Sequence, residues 1–208
     1  MRPLPLDVLP AKILFNVLIF VFAASEVAIR AFSVRNRGRD SRDGSGSAGS
    51  GSRELTSLVV VAFGFVIGII GAVLIAGQVT AAAIPFGRTA LFVIGCAAMV
   101  FGIAFRAWSV VVLGRWFTVD VRVREHQRVV DRGPYRLLRH PSYTGLLCTC
   151  LGIGLALGNW LAVLFAIVPT TLAILYRIRV EERALLDGIG EPYRQFCATR
   201  SRLIPHVW

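Results

Sequence analysis

The chain of 208 residues carries a formal charge of +11, is 55% hydrophobic and has a mean hydropathy of +0.66. That apolar content exceeds what a soluble domain of this size can bury, and it is gathered in long runs, so an integral membrane protein is indicated. The positive charge does not call for nucleic acid, because the arginines stand between the apolar runs, where the positive-inside rule accounts for them.

Residues 1–34 hold the first membrane helix. Its apolar run from Leu9 to Phe32 is long enough to cross, since about 20 residues at ~1.5 Å rise span a bilayer core. The length of the run and the spans that follow it favour an uncleaved helix over a signal peptide. Glu26 and Arg30 lie four apart on one face and are expected to pair.

Residues 35–54 switch to an Arg-rich stretch followed by a Ser-Gly tract, which cannot bury enough apolar surface to offset its ordering entropy and reads as a flexible linker. Residues 55–113 hold the second and third spans, Leu55 to Gln78 and Thr89 to Leu113. Gly64 and Gly68 on the second span form a small-residue pair that favours close helix packing and would permit a homodimer. Arg106 and Trp108, near the end of the third span, read as interfacial anchors. The alternation of Val119, Val121 and Val123 with charged residues suggests a short extended segment. The four cysteines have neither metal-ligand spacing nor a disulfide framework and read as small apolar residues.

Two shorter apolar segments, Tyr143 to Leu157 and Trp160 to Tyr176, are separated by Gly158-Asn159 alone, turn residues that force an antiparallel hairpin over 143–176. Its two polar flanks, Arg136 to His140 and Arg177 to Glu182, therefore return to one end. Pro141 suits a first helical turn, which leaves Arg139-His140 at a helix mouth where free N–H groups favour an anion. The Glu pair, expected just beyond the second helix, would supply an anionic corner. A cationic and an anionic corner together suit a zwitterionic ligand. The expected fold is an all-α integral membrane protein of about five membrane helices, the last two a tight hairpin. From Arg183 onward, Leu185, Leu186, Ile189, Tyr193 and Phe196 form an amphipathic tail expected to lie over the site.

Orientation follows from the basic residues. The segments Arg30–Arg53, Arg115–Arg139 and Arg177–Arg202 share one side and hold 19 of the 23 Lys and Arg, so the hairpin mouth and C-terminus are expected to be cytoplasmic and the N-terminus outside, in the plasma membrane of a bacterium.

The ordered set Gly133-Pro134-Tyr135, Arg139-His140-Pro141-Ser142-Tyr143-Thr144-Gly145, Gly158-Asn159, Arg177-Ile178, Glu181-Glu182, Leu185, Gly190, Tyr193 and Pro205 resembles the isoprenylcysteine carboxyl methyltransferase family and the wider membrane phospholipid methyltransferases. The resemblance covers residues 114–208. It implies a methyltransferase using S-adenosylmethionine, held in a cytoplasmic C-terminal pocket, with a lipophilic acceptor entering from the bilayer. By motif position, Val129, Val130, Gly133, Pro134, Tyr135, Arg139, His140 and Tyr143 would hold the cofactor, with Glu181 and Glu182 completing the site. Arg177 would orient the acceptor, so Arg177, Glu181 and Glu182 are the catalytic candidates. An isoprenylated cysteine, a phospholipid amine, an isoprenoid acid or a lipophilic thiol are all open as acceptor, and no metal is required. Two other classes compete: a sterol-reductase-like membrane enzyme using NADPH, which in its family is larger with more spans, and a non-enzymatic membrane scaffold, whose polar residues would be simple anchors. The sequence has no inverted repeat to support a transporter.

Overall fold

The computed structural model describes residues 8–42, 52–117, 127 and 129–205. The chain is α-helical there, in the order α1 (Leu9–Arg42), α2 (Ser52–Gln78), α3 (Arg88–Leu113), α4 (Pro141–Leu157), α5 (Trp160–Ile189) and α6 (Glu191–Thr199), with short 3-10 turns between. Four of these, all but α4 and α6, contain stretches long and apolar enough to cross a membrane; α4 is a shorter apolar helix. Large apolar side chains such as Phe20, Val27 and Phe63 are exposed on α1 and α2, as suits helices whose solvent is lipid.

Elements that differ from expectation do so for readable reasons. α1 continues to Arg42, eight residues past the boundary at residue 34; the Ser-Gly tract and the Val119–Val123 alternation lie largely or wholly outside the described residues. The second hairpin helix does not stop at Tyr176. It runs on to Ile189, because the sequence from Arg177 to Ile189 is rich in helix formers and Gly188 stays helical; the helix ends only at Gly190, where φ is +74° and Pro192 follows in the first turn of α6. The Glu pair thus lies inside α5 rather than after it.

The turn between α4 and α5 divides its labour. Gly158 takes the left-handed conformation (φ +58°) that ends α4, while Asn159 is extended and caps α5, its side-chain oxygen accepting from the amides of Leu161 (3.0 Å) and Ala162 (3.1 Å).

Packing is strongest between α3 and α4, then between α2 and α5, and between α4 and α5, while α1 rests on α3. The α3–α4 contact is nearly backbone to backbone. A Cβ on Gly95 would lie 2.6 Å from the amide nitrogen of Ala156, and one on Gly145 2.7 Å from the carbonyl of Gly102. Gly64 and Gly68 of α2 are used within the chain: a Cβ on either would come within 2.9 Å of the α5 carbonyls of Pro169 and Phe165, respectively. The glycine face that would have permitted a dimer is occupied by α5.

Candidate functional site

Helix geometry brings the two ends of the hairpin level. Counted from the turn, Pro141 is 16 residues from Leu157 and Arg177 is 17 residues from Trp160, so at ~1.5 Å per residue both stand about 25 Å from the turn. Glu181 lies one helical turn further, where the Tyr143 hydroxyl donates to its Oε2 at 2.9 Å. The His140 and Tyr143 rings lie nearly parallel, with centroids 5.8 Å apart.

These residues face a cavity of about 620 Å³. Its polar pole includes Val129, Val130, Tyr135, Arg139, His140, Tyr143, Arg177 and Glu181, so the predicted motif residues converge on one space. Leu185, Ile189, Tyr193 and Phe196 also line it, with α6 closing over the site as the amphipathic tail suggested. Burial, and after it the negative charge of Glu181, hold the Tyr135 phenol above its ordinary pKa, so it presents a neutral O–H. Arg177 is buried, and its Nη1 donates to the Ser57 hydroxyl of α2.

Gly133, Pro134 and Glu182 are not on the cavity wall. Gly133 has a φ of +56° and Pro134 starts a 3-10 turn; together they carry Tyr135 into the wall. Adjacent helical residues point about 100° apart, and here Glu181 is the one turned to the cavity. Glu182 instead stands behind the wall, accepting from Arg139 Nη1 at 2.7 Å and Arg202 Nη2 at 3.0 Å, with His140 Nε2 at 3.3 Å.

The sequence reading missed half of the cavity. From the polar pole it continues between α1 and α2 as a slot lined by Ile19, Phe22, Phe65 and Ile69, with the Phe22 and Phe65 rings 5.5 Å apart. Where slot meets pole stand Glu26 and Arg106. Glu26 does not pair with Arg30: Arg106 Nη2 donates to its Oε2 at 2.9 Å and Arg106 Nε to its Oε1, while Arg106 Nη1 reaches the Ser142 carbonyl and hydroxyl. The bidentate fork from α3 is stronger than a single contact along α1. Arg106, expected to anchor at the interface, therefore points inward and ties α1, α3 and the mouth of α4. The signal for it was an ionisable residue 17 positions into each apolar run, Glu26 counted from Leu9 and Arg106 from Thr89.

The comparisons with known proteins cover the part of the chain that holds the hairpin. A family model described as phospholipid methyltransferase matches residues 90–189. Among curated proteins, protein-S-isoprenylcysteine O-methyltransferase B of Arabidopsis thaliana is 31% identical over 116 residues, 54% of this chain and 58% of that protein. Its counterpart A from the same plant is 33% identical over the same coverage. The protein-S-isoprenylcysteine O-methyltransferase of Schizosaccharomyces pombe is 35% identical over 75 residues, 36% of this chain and 31% of that protein. Just under half of the chain thus matches the phospholipid methyltransferase model, and a little over half is similar to protein-S-isoprenylcysteine O-methyltransferases. The chain spans well under two thirds of the length of these relatives. The family-model match contains Arg106, the hairpin and the Glu pair, whereas Glu26 and most of the apolar slot come from helices before it, and α6 and Arg202 from after it.

Proposed function

We propose that the chain is an S-adenosylmethionine-dependent methyltransferase of the membrane, moving a methyl group to a lipophilic acceptor that enters from the bilayer. The observation that carries this reading is the single cavity that joins a charged, hydrogen-bonding pole to an apolar slot between two membrane helices. A pole offering the Glu181 carboxylate beside Arg139 and the neutral Tyr135 hydroxyl suits a ligand that is itself zwitterionic, and the cavity volume lies in the ordinary range for cofactor sites.

When bound, S-adenosylmethionine supplies a methyl group on a positively charged sulfur. Arg139, His140, Tyr143 and Glu181 would hold it, with Val129, Val130 and Tyr135 forming the walls and Gly133-Pro134 setting the position of Tyr135. Leu185, Ile189, Tyr193 and Phe196 keep water out, which preserves the electrostatic field of the site while charge disappears along the reaction. Arg177 would orient the acceptor's polar group, with Glu182 acting from behind the wall. Alignment supplies the rest of the acceleration. A carboxylate or thiolate acceptor needs no general base, and the similarity to protein-S-isoprenylcysteine O-methyltransferases favours an isoprenylated cysteine carboxylate. An amine acceptor would need to lose a proton, for which Glu181, the carboxylate on the wall of the polar pole, is the candidate.

We place the hairpin mouth and the C-terminus in the cytoplasm, the N-terminus outside and the protein in a bacterial plasma membrane, on the distribution of arginines. A reporter that fluoresces only in the cytoplasm, fused after Trp208, is expected to light up; fluorescence only from an N-terminal fusion would reverse the topology.

The deciding experiment is equilibrium binding of labelled S-adenosylmethionine to the purified protein in detergent, with NADPH in parallel. Saturable binding of the first is expected, weakened at least about tenfold in His140→Ala and Glu181→Gln, each of which removes a charged-group hydrogen bond. Binding of NADPH alone would overturn the proposal in favour of a reductase, and binding of neither in favour of a scaffold.

A further inference from the structure

Arg139 and His140 lie between a 3-10 turn and α4, where no helix fixes their backbone. Their amides are satisfied from elsewhere: Arg139 N–H donates to the Ser201 carbonyl at 2.8 Å and His140 N–H to the Arg202 carbonyl at 3.1 Å, while Ser201 N–H returns a bond to Leu137 at 3.2 Å. Side chains extend the seam, with Arg139 Nε on the Arg200 carbonyl (3.0 Å) and Thr144 Oγ1 on the Leu203 carbonyl (2.8 Å), and Leu203 is buried in the core. The segment 200–203, beyond α6 and beyond the region matched by the family model, thus supplies the partners without which these two amides would be orphaned.

The same segment reaches Glu182. One carboxylate receives Arg139 and His140, whose side chains line the cavity, and Arg202, which does not. A carboxylate flanked by two guanidiniums only accepts hydrogen bonds, so His140 Nε2 is a donor to it and the ring's rotation is tied to where Glu182 is held. Arg202 Nη2 holds Oε2 at 3.0 Å and its Nε reaches Oε1 at 3.4 Å, so the guanidinium fork fixes the plane of the carboxylate whose Oε1 also faces Arg139 and His140.

We propose that Arg202 is a positioning residue of the cofactor site, acting through Glu182 to set the orientation of His140 and Arg139 without touching the ligand. The proposal rests on the methyltransferase reading for its consequence, and on the hydrogen-bond network for its mechanism. Loss of Arg202 frees Oε2 and removes one donor from Oε1, lets the carboxylate turn and lets the imidazole follow.

Two readouts test it. In protein labelled with ¹⁵N-histidine, which has only three histidines, the His140 ring resonances are expected to shift in Arg202→Ala and to return in Arg202→Lys. This measurement needs no cofactor, so it stands whatever the protein binds. S-adenosylmethionine affinity is expected to fall about tenfold in Arg202→Ala, to recover in Arg202→Lys, and to be no weaker in Arg202→Ala/Glu182→Gln than in Glu182→Gln alone, the mark of two residues acting in series. His140 resonances unchanged in Arg202→Ala, or binding losses that add in the double variant, would overturn the proposal. Wild-type protein that binds no S-adenosylmethionine but shows the histidine shift would overturn the methyltransferase reading and leave the positioning role intact.

Discussion

Glu26 and Arg106 illustrate how a charge deep in an apolar chain is retained. Each is mostly buried, with side chains 23% and 11% exposed, and each satisfies the other through two bonds, with Ser142 accepting from Nη1 of the guanidinium. Removing one partner leaves a charge in a site with little water, so Glu26→Ala is expected to destabilise the protein by about 3–5 kcal/mol, and Glu26→Ala/Arg106→Met to recover much of that loss. Thermal unfolding in detergent checks both. Equal stability of Glu26→Ala and wild type would mean that the pair is solvated rather than buried. At this scale the motif residues were legible because their chemistry is local, whereas the partner of Glu26 was not: Arg30 and Arg106 offer the same charge, and only the approach of α3 decides between them.

At the scale of elements, the hairpin of α4 and α5 was written in Gly158-Asn159, since two apolar runs separated by two turn residues have one compact arrangement. Where α5 ends was less visible. The change from apolar to charged residues at Arg177 marks the edge of the lipid-compatible stretch, not the end of the helix, because backbone hydrogen bonding continues until Gly190. The close seam of α3 and α4 leads to a second expectation. Gly145→Val would press its Cβ against the Gly102 carbonyl and, at 2.8 Å, the Arg106 amide, both backbone atoms that cannot swing aside. A loss of about 1–3 kcal/mol or more is expected, and because Arg106 moves with that backbone, cofactor affinity should fall with it. A circular-dichroism melt together with the binding assay reads both effects.

For the whole molecule, the arrangement of α1 matters most. It rests on α3 while α2 packs on α5, so the two first helices face each other across the slot and meet at Phe22 and Phe65. If that slot receives the acceptor's chain, Ala62→Phe, which fills it from α2, is expected to shift turnover towards shorter acceptor chains by about tenfold in kcat/KM, while cofactor affinity stays within about twofold. Steady-state kinetics over an acceptor series of increasing chain length tests this. An unchanged chain-length preference would assign the slot to bilayer lipid instead.

The sequence by itself determined the membrane class, the antiparallel hairpin and the set of polar residues at its open end, because hydropathy, turn chemistry and helix length act over short distances along the chain. Only the tertiary structure decided that Glu181 faces the cavity while Glu182 turns to Arg139, His140 and Arg202, that Arg106 reaches Glu26, and that α1 and α2 form the apolar slot. Each of these depends on which of several chemically equivalent partners, distant in sequence, is brought within hydrogen-bonding reach, and that is set by how the helices pack.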